Sequence, residues 1–115
     1  MHGLQKEITS TFFQTLEDIK HKEDLAIFFG DFFTKKEFEI FTKRLAIAYW
    51  LKKKRDYKNI RTNLNVTTSE IKDVENKLES RGYKLALKMM EAEEWSNKWA
   101  GAIKKVYVHT SDVIK

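Results

Sequence analysis

At 115 residues the chain is long enough for one domain and too short for two, and with 42% hydrophobic residues it can build a core. The lack of cysteine excludes disulfides and thiolate chemistry, and no apolar run approaches the roughly 20 residues that would span a membrane. The net charge is +5, and one block carries the excess: residues 43–63 hold Lys43, Arg44, Lys52, Lys53, Lys54, Arg55, Lys58 and Arg61 against Asp56, a pattern suited to a polyanion.

The segment Met1-His2-Gly3-Leu4-Gln5-Lys6-Glu7 has no signal-peptide core, so the chain reads as cytoplasmic. There is no proline and there are four glycines, so helices joined by short turns are favoured over a sheet. Eight Phe, four Tyr and three Trp are more ring surface than a thin helical protomer hides, which predicts that a partner subunit covers part of it.

Leu4, Ile8, Phe12, Leu16 and Ile19 recur at helical spacing and predict a first helix of about four turns. A second is expected over 22–33, with Leu25, Phe28, Phe29, Phe32 and Phe33 on its buried side and Gly30 allowing another helix close. Thr34-Lys35-Lys36-Glu37 fits a capping box, in which threonine accepts from the third helical N–H and glutamate reaches back. It opens a third helix to about Lys53. The stripe of that helix is Phe38, Phe41, Leu45, Ala48 and Leu51, widened by Ile40, Ile47 and Trp50.

Asp56 suits the cap of a short fourth helix, 57–64, with Tyr57, Ile60 and Leu64 inward. Asn65-Val66 then forms a tight turn, since asparagine tolerates the left-handed conformation. Thr67-Thr68-Ser69-Glu70 offers a second capping box for a fifth helix to about Ser80, with Ile71, Val74 and Leu78 inward and Gly82 as its left-handed terminator. A C-terminal helix is expected over about 83–107. Trp95, Trp99, Ala102, Ile103 and Val106 share one face of it, read as packing on the N-terminal helix within the dimer, with a docking strip as the functional alternative.

Two short helices joined at 65–67, the second opened by hydroxyl caps, are the pattern of a helix-turn-helix over about 56–80. Ile60, Leu64, Val66, Ile71 and Val74 supply its small core. Thr67, Thr68, Ser69 and Lys72 are placed to meet phosphates and base edges, while Lys53, Lys54, Arg55, Lys58 and Arg61 are placed to hold the phosphate backbone.

The stretch from Leu25 to Leu87 resembles the Trp repressor family and its Trp-repressor-like relatives. The resemblance lies in Phe33-Thr34-Lys35-Lys36-Glu37, in Lys43-Arg44-Leu45-Ala46-Ile47-Ala48, in the helix-turn-helix, and in Gly82-Tyr83-Lys84-Leu85-Ala86-Leu87. It implies an all-α single domain of about six helices, interlocked as a homodimer and binding double-stranded DNA through helices four and five. It also implies a corepressor site. Thr34 and Arg44 match two of that site's ligand-holding positions. Asp73 stands where the family has a third, an arginine, and Val74 replaces the adjoining glycine. A carboxylate would face Asp73, so tryptophan is not the expected effector; Arg44 is expected to pair with an acid such as Asp73.

His2, His21 and His109 lack metal-ligand spacing, Glu91, Glu93 and Glu94 lack a nucleophile, and no glycine-rich phosphate loop occurs. No cofactor, metal or enzymatic activity is expected. The reading is a sequence-specific transcriptional regulator that does not answer to tryptophan. A competing reading keeps the helix-turn-helix shape as a protein-interaction module, because Glu70, Asp73 and Glu75 make the fifth helix acidic.

Overall fold

The computed structural model of the chain describes residues 2–92 and 98–102. Its described residues form six α-helices and no strand: α1 His2–Asp18, α2 Lys22–Phe32, α3 Lys35–Lys52, α4 Tyr57–Leu64, α5 Thr68–Glu75 and α6 Arg81–Glu91, with a 3-10 turn at Ala100–Ala102. The all-helical class expected from the sequence is the one observed. The chain groups into two compact units, 1–40 and 41–115.

In the first unit, α1 and α2 associate through rings. Phe28 stacks on Phe32 with centroids 4.5 Å apart, and Phe29 stacks on Phe33 at 5.2 Å. Phe12 of α1 approaches Phe28 at 6.3 Å. None of these residues is buried; Phe32 stays 72% exposed, Ile27 65% and Phe13 62%. The expected buried side of α2 is therefore a half-covered surface within the chain. The space over Gly30 is open within the chain, since a methyl group there would meet nothing within 4 Å, so no helix of the same chain makes the close approach expected. Thr34 opens α3 through the anticipated reciprocal box: it accepts from the Glu37 N–H at 3.0 Å, and its own N–H donates to Glu37 at 2.8 Å.

The second unit holds the core. Ile47, Ala48, Tyr49 and Trp50 are four consecutive buried residues, so α3 is enclosed all round over one turn. They meet Ile60 of α4, Val66 of the turn, Ile71 and Val74 of α5, and Leu87 and Met90 of α6. Side chains such as Ile60 and Ile71, fully out of water, contribute about 1.5–3 kcal/mol each. The α3 stripe expected from spacing runs only over its C-terminal half, because Phe38, Ile40, Phe41 and Leu45 remain 38–55% exposed. Trp99 lies edge-on to Tyr49 at 5.3 Å and to Trp50 at 5.8 Å, so this tryptophan closes the core of the second unit. Trp99 thus packs on α3 rather than on the N-terminal helix; of the rest of its expected stripe, Ala102 ends a 3-10 turn, and Trp95, Ile103 and Val106 lie outside the described residues.

Three helix ends depart from expectation: α6 ends at Glu91 and residues 100–102 form a 3-10 turn where one helix to about 107 is expected, and the other two flank residues 76–80. α5 stops at Glu75, five residues early, because the backbone tightens. Lys77 N–H turns to Val74 O at 2.8 Å and Leu78 N–H to Glu75 O at 3.3 Å, both three residues back. Ser80 then takes an extended conformation and starts α6, which absorbs Gly82 as its second residue with negative φ. Among the described residues the left-handed ones are Lys54 (φ 68°) and Asn65 (φ 54°).

Candidate nucleic-acid interface

The end of α3 prepares the site. Lys54 N–H bonds to Leu51 O and Arg55 N–H to Trp50 O, each at 3.0 Å, with Lys54 left-handed between them. This is a Schellman close, in which the last carbonyls of a helix are satisfied by the residues that turn away from it. It is followed directly by Asp56, whose carboxylate accepts from Asn59 N–H at 2.8 Å and caps α4. The C-terminal residue of α4 passes to left-handed Asn65, Val66 fills the turn, and Thr67 opens α5. Every corner from Leu51 to Glu70 is thus set by a local hydrogen bond, and together these bonds fix the direction in which α5 leaves the core.

The basic residues of this corner divide into two kinds. Lys54 and Lys58 are exposed; so is Lys53, with its ammonium 5.4 Å from the centre of the Tyr49 ring. Arg55 is half-buried, lies 5.0 Å above the Trp50 ring and donates to the Asn59 side chain at 2.9 Å. It braces α3 against α4 as much as it offers charge. Arg61 crosses the turn to donate to Thr68 Oγ1 at 3.0 Å.

On α5 the hydroxyl residues also differ. Thr67 accepts from Glu70 N–H at 3.1 Å while Glu70 accepts from Thr67 N–H at 2.7 Å. Thr68 is half-buried beside Arg61, and Ser69 and Lys72 are exposed. The acids that make this helix net negative are partly engaged in the fold. Glu70 forms the capping box, Glu75 accepts from the Tyr57 hydroxyl, and Asp73 is exposed. That acceptance, together with burial and the negative charge of Glu75, holds the Tyr57 hydroxyl above its ordinary pKa of about 10.

The sequence places Tyr57 inward on the fourth helix and Glu75 on the fifth, but spacing alone does not reveal the bond between them or the one that Asn59 accepts from Arg55. Arg55 and Asn59 are four apart across a cap, a detectable signal; Tyr57 and Glu75 meet only through the turn. For the residues matched to an effector site, Thr34 has its side chain in the α3 cap, and Arg44 lies 5.7 Å over the Phe41 ring. The ion pair expected between Arg44 and Asp73 is not formed within the chain; a salt bridge joins Lys84 and Glu79. Val74 is 3% exposed and belongs to the core, so no space remains at that position for a ligand.

A short helix, a left-handed turn and a second helix packed through Ile60, Val66, Ile71 and Val74 define a helix-turn-helix protein. The family model described as Trp repressor protein matches residues 7–92, about three quarters of the chain. The chain belongs to the Trp repressor family, a family of DNA-binding regulators of helix-turn-helix type. No curated protein and no solved structure matches it. Among the described residues no helix is long and apolar enough to cross a membrane.

Proposed function

We propose that the protein is a dimeric, sequence-specific DNA-binding regulator that reads the major groove through α5 and does not respond to tryptophan. The observation that carries this reading is the hydrogen-bonded corner from Leu51 to Glu70. It sets exposed Lys53, Lys54 and Lys58 beside a capped helix whose first turns present Thr68, Ser69 and Lys72. Lysines of this kind hold phosphates, and short hydroxyl and ammonium groups can reach base edges. Glu70 and Glu75 have structural partners within the fold, so their presence on α5 does not require a protein partner. Dimerisation is supported by Phe13, Ile27 and Phe32, more exposed than a solvated helix face should be. Indifference to tryptophan is supported by exposed Asp73 and buried Val74 in place of the family's arginine and glycine.

The test is to mix the purified protein with fragmented genomic DNA of its host at about 150 mM salt, where nonspecific phosphate contacts are weakened, and to sequence what is retained. A two-fold symmetric site with half-sites about one helical turn apart is expected, unchanged by added tryptophan. Retention without a shared site would replace sequence reading by general DNA coating. No retention would favour the protein-interaction reading.

A further inference from the structure

We infer that Arg61 is a positioning residue for recognition: it fixes the Thr68 hydroxyl as a hydrogen-bond donor toward an acceptor on a base edge. This deepens, and rests on, the DNA-reading function proposed above.

Arg61 stands in the last turn of α4 and Thr68 is the first residue of α5. Their side chains join across the turn at 3.0 Å, and both are half-buried. A guanidinium carries donors only, whereas a threonine hydroxyl has one hydrogen and two lone pairs. Arg61 therefore occupies a lone pair of Thr68 Oγ1, and its positive charge turns the hydroxyl hydrogen away from itself. The Thr68 side chain has no other hydrogen bond among the described residues, so that hydrogen is left to an outside acceptor.

The neighbouring threonine behaves differently. Thr67 Oγ1 is held by Glu70 N–H as the cap of α5, with its side chain directed back at its own helix. Of two adjacent hydroxyls, one closes the helix and the other is oriented by a residue of the preceding helix. A donor fixed in this way suits guanine O6 or N7, adenine N7 or thymine O4, and disfavours the amino groups of cytosine and adenine. A side chain already held in place also loses less freedom on binding. A plain phosphate contact by Arg61 would need none of this geometry.

The test uses the full-length protein, the duplex most enriched from host genomic DNA, and a shuffled duplex of equal composition, titrated across a salt series. Thr68→Val should lower affinity for the enriched duplex roughly threefold to tenfold, the worth of one hydrogen bond, while leaving the shuffled duplex unaffected. Arg61→Gln should reduce the enriched-to-shuffled ratio by a similar factor, and should reduce it no further when Thr68 is already valine. Arg61→Lys, which keeps the charge but not the planar fork, should preserve the salt slope and still lose part of the ratio, and it serves as the second variant if Arg61→Gln melts below the assay temperature. The inference is overturned if the Arg61 variants weaken both duplexes alike, lower the salt slope by about one and act independently of Thr68. A wild-type protein that binds neither duplex preferentially overturns the DNA-reading function itself, and with it this inference.

Discussion

The Tyr57 hydroxyl donates to the Glu75 carboxylate, joining the first residue of α4 to the last residue of α5. The two helices are thus tied at the end opposite their turn, and the angle between them does not depend on Ile60, Val66 and Ile71 alone. Because the bond raises the tyrosine pKa, the folded chain holds that proton more tightly than the unfolded chain does. The resulting stability is complete below about pH 10 and is lost as pH rises through the elevated folded value. Tyr57→Phe should therefore lower the melting temperature at neutral pH and flatten its decline above pH 10. Thermal melts of both proteins from pH 7 to 11.5 check this, and parallel declines would refute the tie.

The capping box separates the charge of Glu70 from its structural role. Gln at this position still accepts from Thr67 N–H, so Glu70→Gln should leave the melting temperature nearly unchanged. If α5 is the reading helix, the same change should tighten DNA binding, because a negative charge then leaves the surface next to phosphates. Thr67→Ala should instead cost about 1 kcal/mol of stability and blur site preference, as the start of α5 frays. Urea denaturation and binding titrations distinguish the two substitutions.

Lys54 occupies a left-handed conformation that glycine adopts without strain. Lys54→Gly should stabilise the protein by about 1 kcal/mol after allowing for the greater freedom of glycine in the unfolded chain. If the lysine neutralises a phosphate, the same change should lower the salt slope of DNA binding by about 0.9 per protomer. Higher stability combined with weaker binding is the expected pair of results; a stabilised variant that binds as before would remove Lys54 from the interface.

The exposed rings of the first unit should matter only in assembly. Phe32→Glu, at a position 72% exposed within the chain, should leave helix content intact and shift the protein from dimer to monomer in sedimentation at micromolar concentration. Unchanged sedimentation would mean that this face is solvated.

The legibility of the sequence follows the range of the interactions involved. The corner from Asp56 to Glu70 is readable because its punctuation is local: an aspartate cap, a left-handed asparagine and a capping box each act within three or four residues. The early end of α5 is not, since Asn76-Lys77-Leu78-Glu79-Ser80 keeps helix formers and helical spacing while the backbone tightens three residues back. The Arg61–Thr68 and Tyr57–Glu75 bonds join residues 7 and 18 apart, so they become visible only once the turn has brought the helices together. The Arg44–Asp73 pair, expected from complementary charge, gives way to the Phe41 ring one turn back from Arg44 on its own helix.

The aromatic helices α1 and α2 bury none of their described side chains within the chain. If a second copy supplies that cover, promoter occupancy becomes a gauge of how much of this protein the cell holds. Where the chains are mostly single, doubling their number raises the paired form about fourfold, so a modest rise in synthesis acts as a switch without any small molecule to throw it.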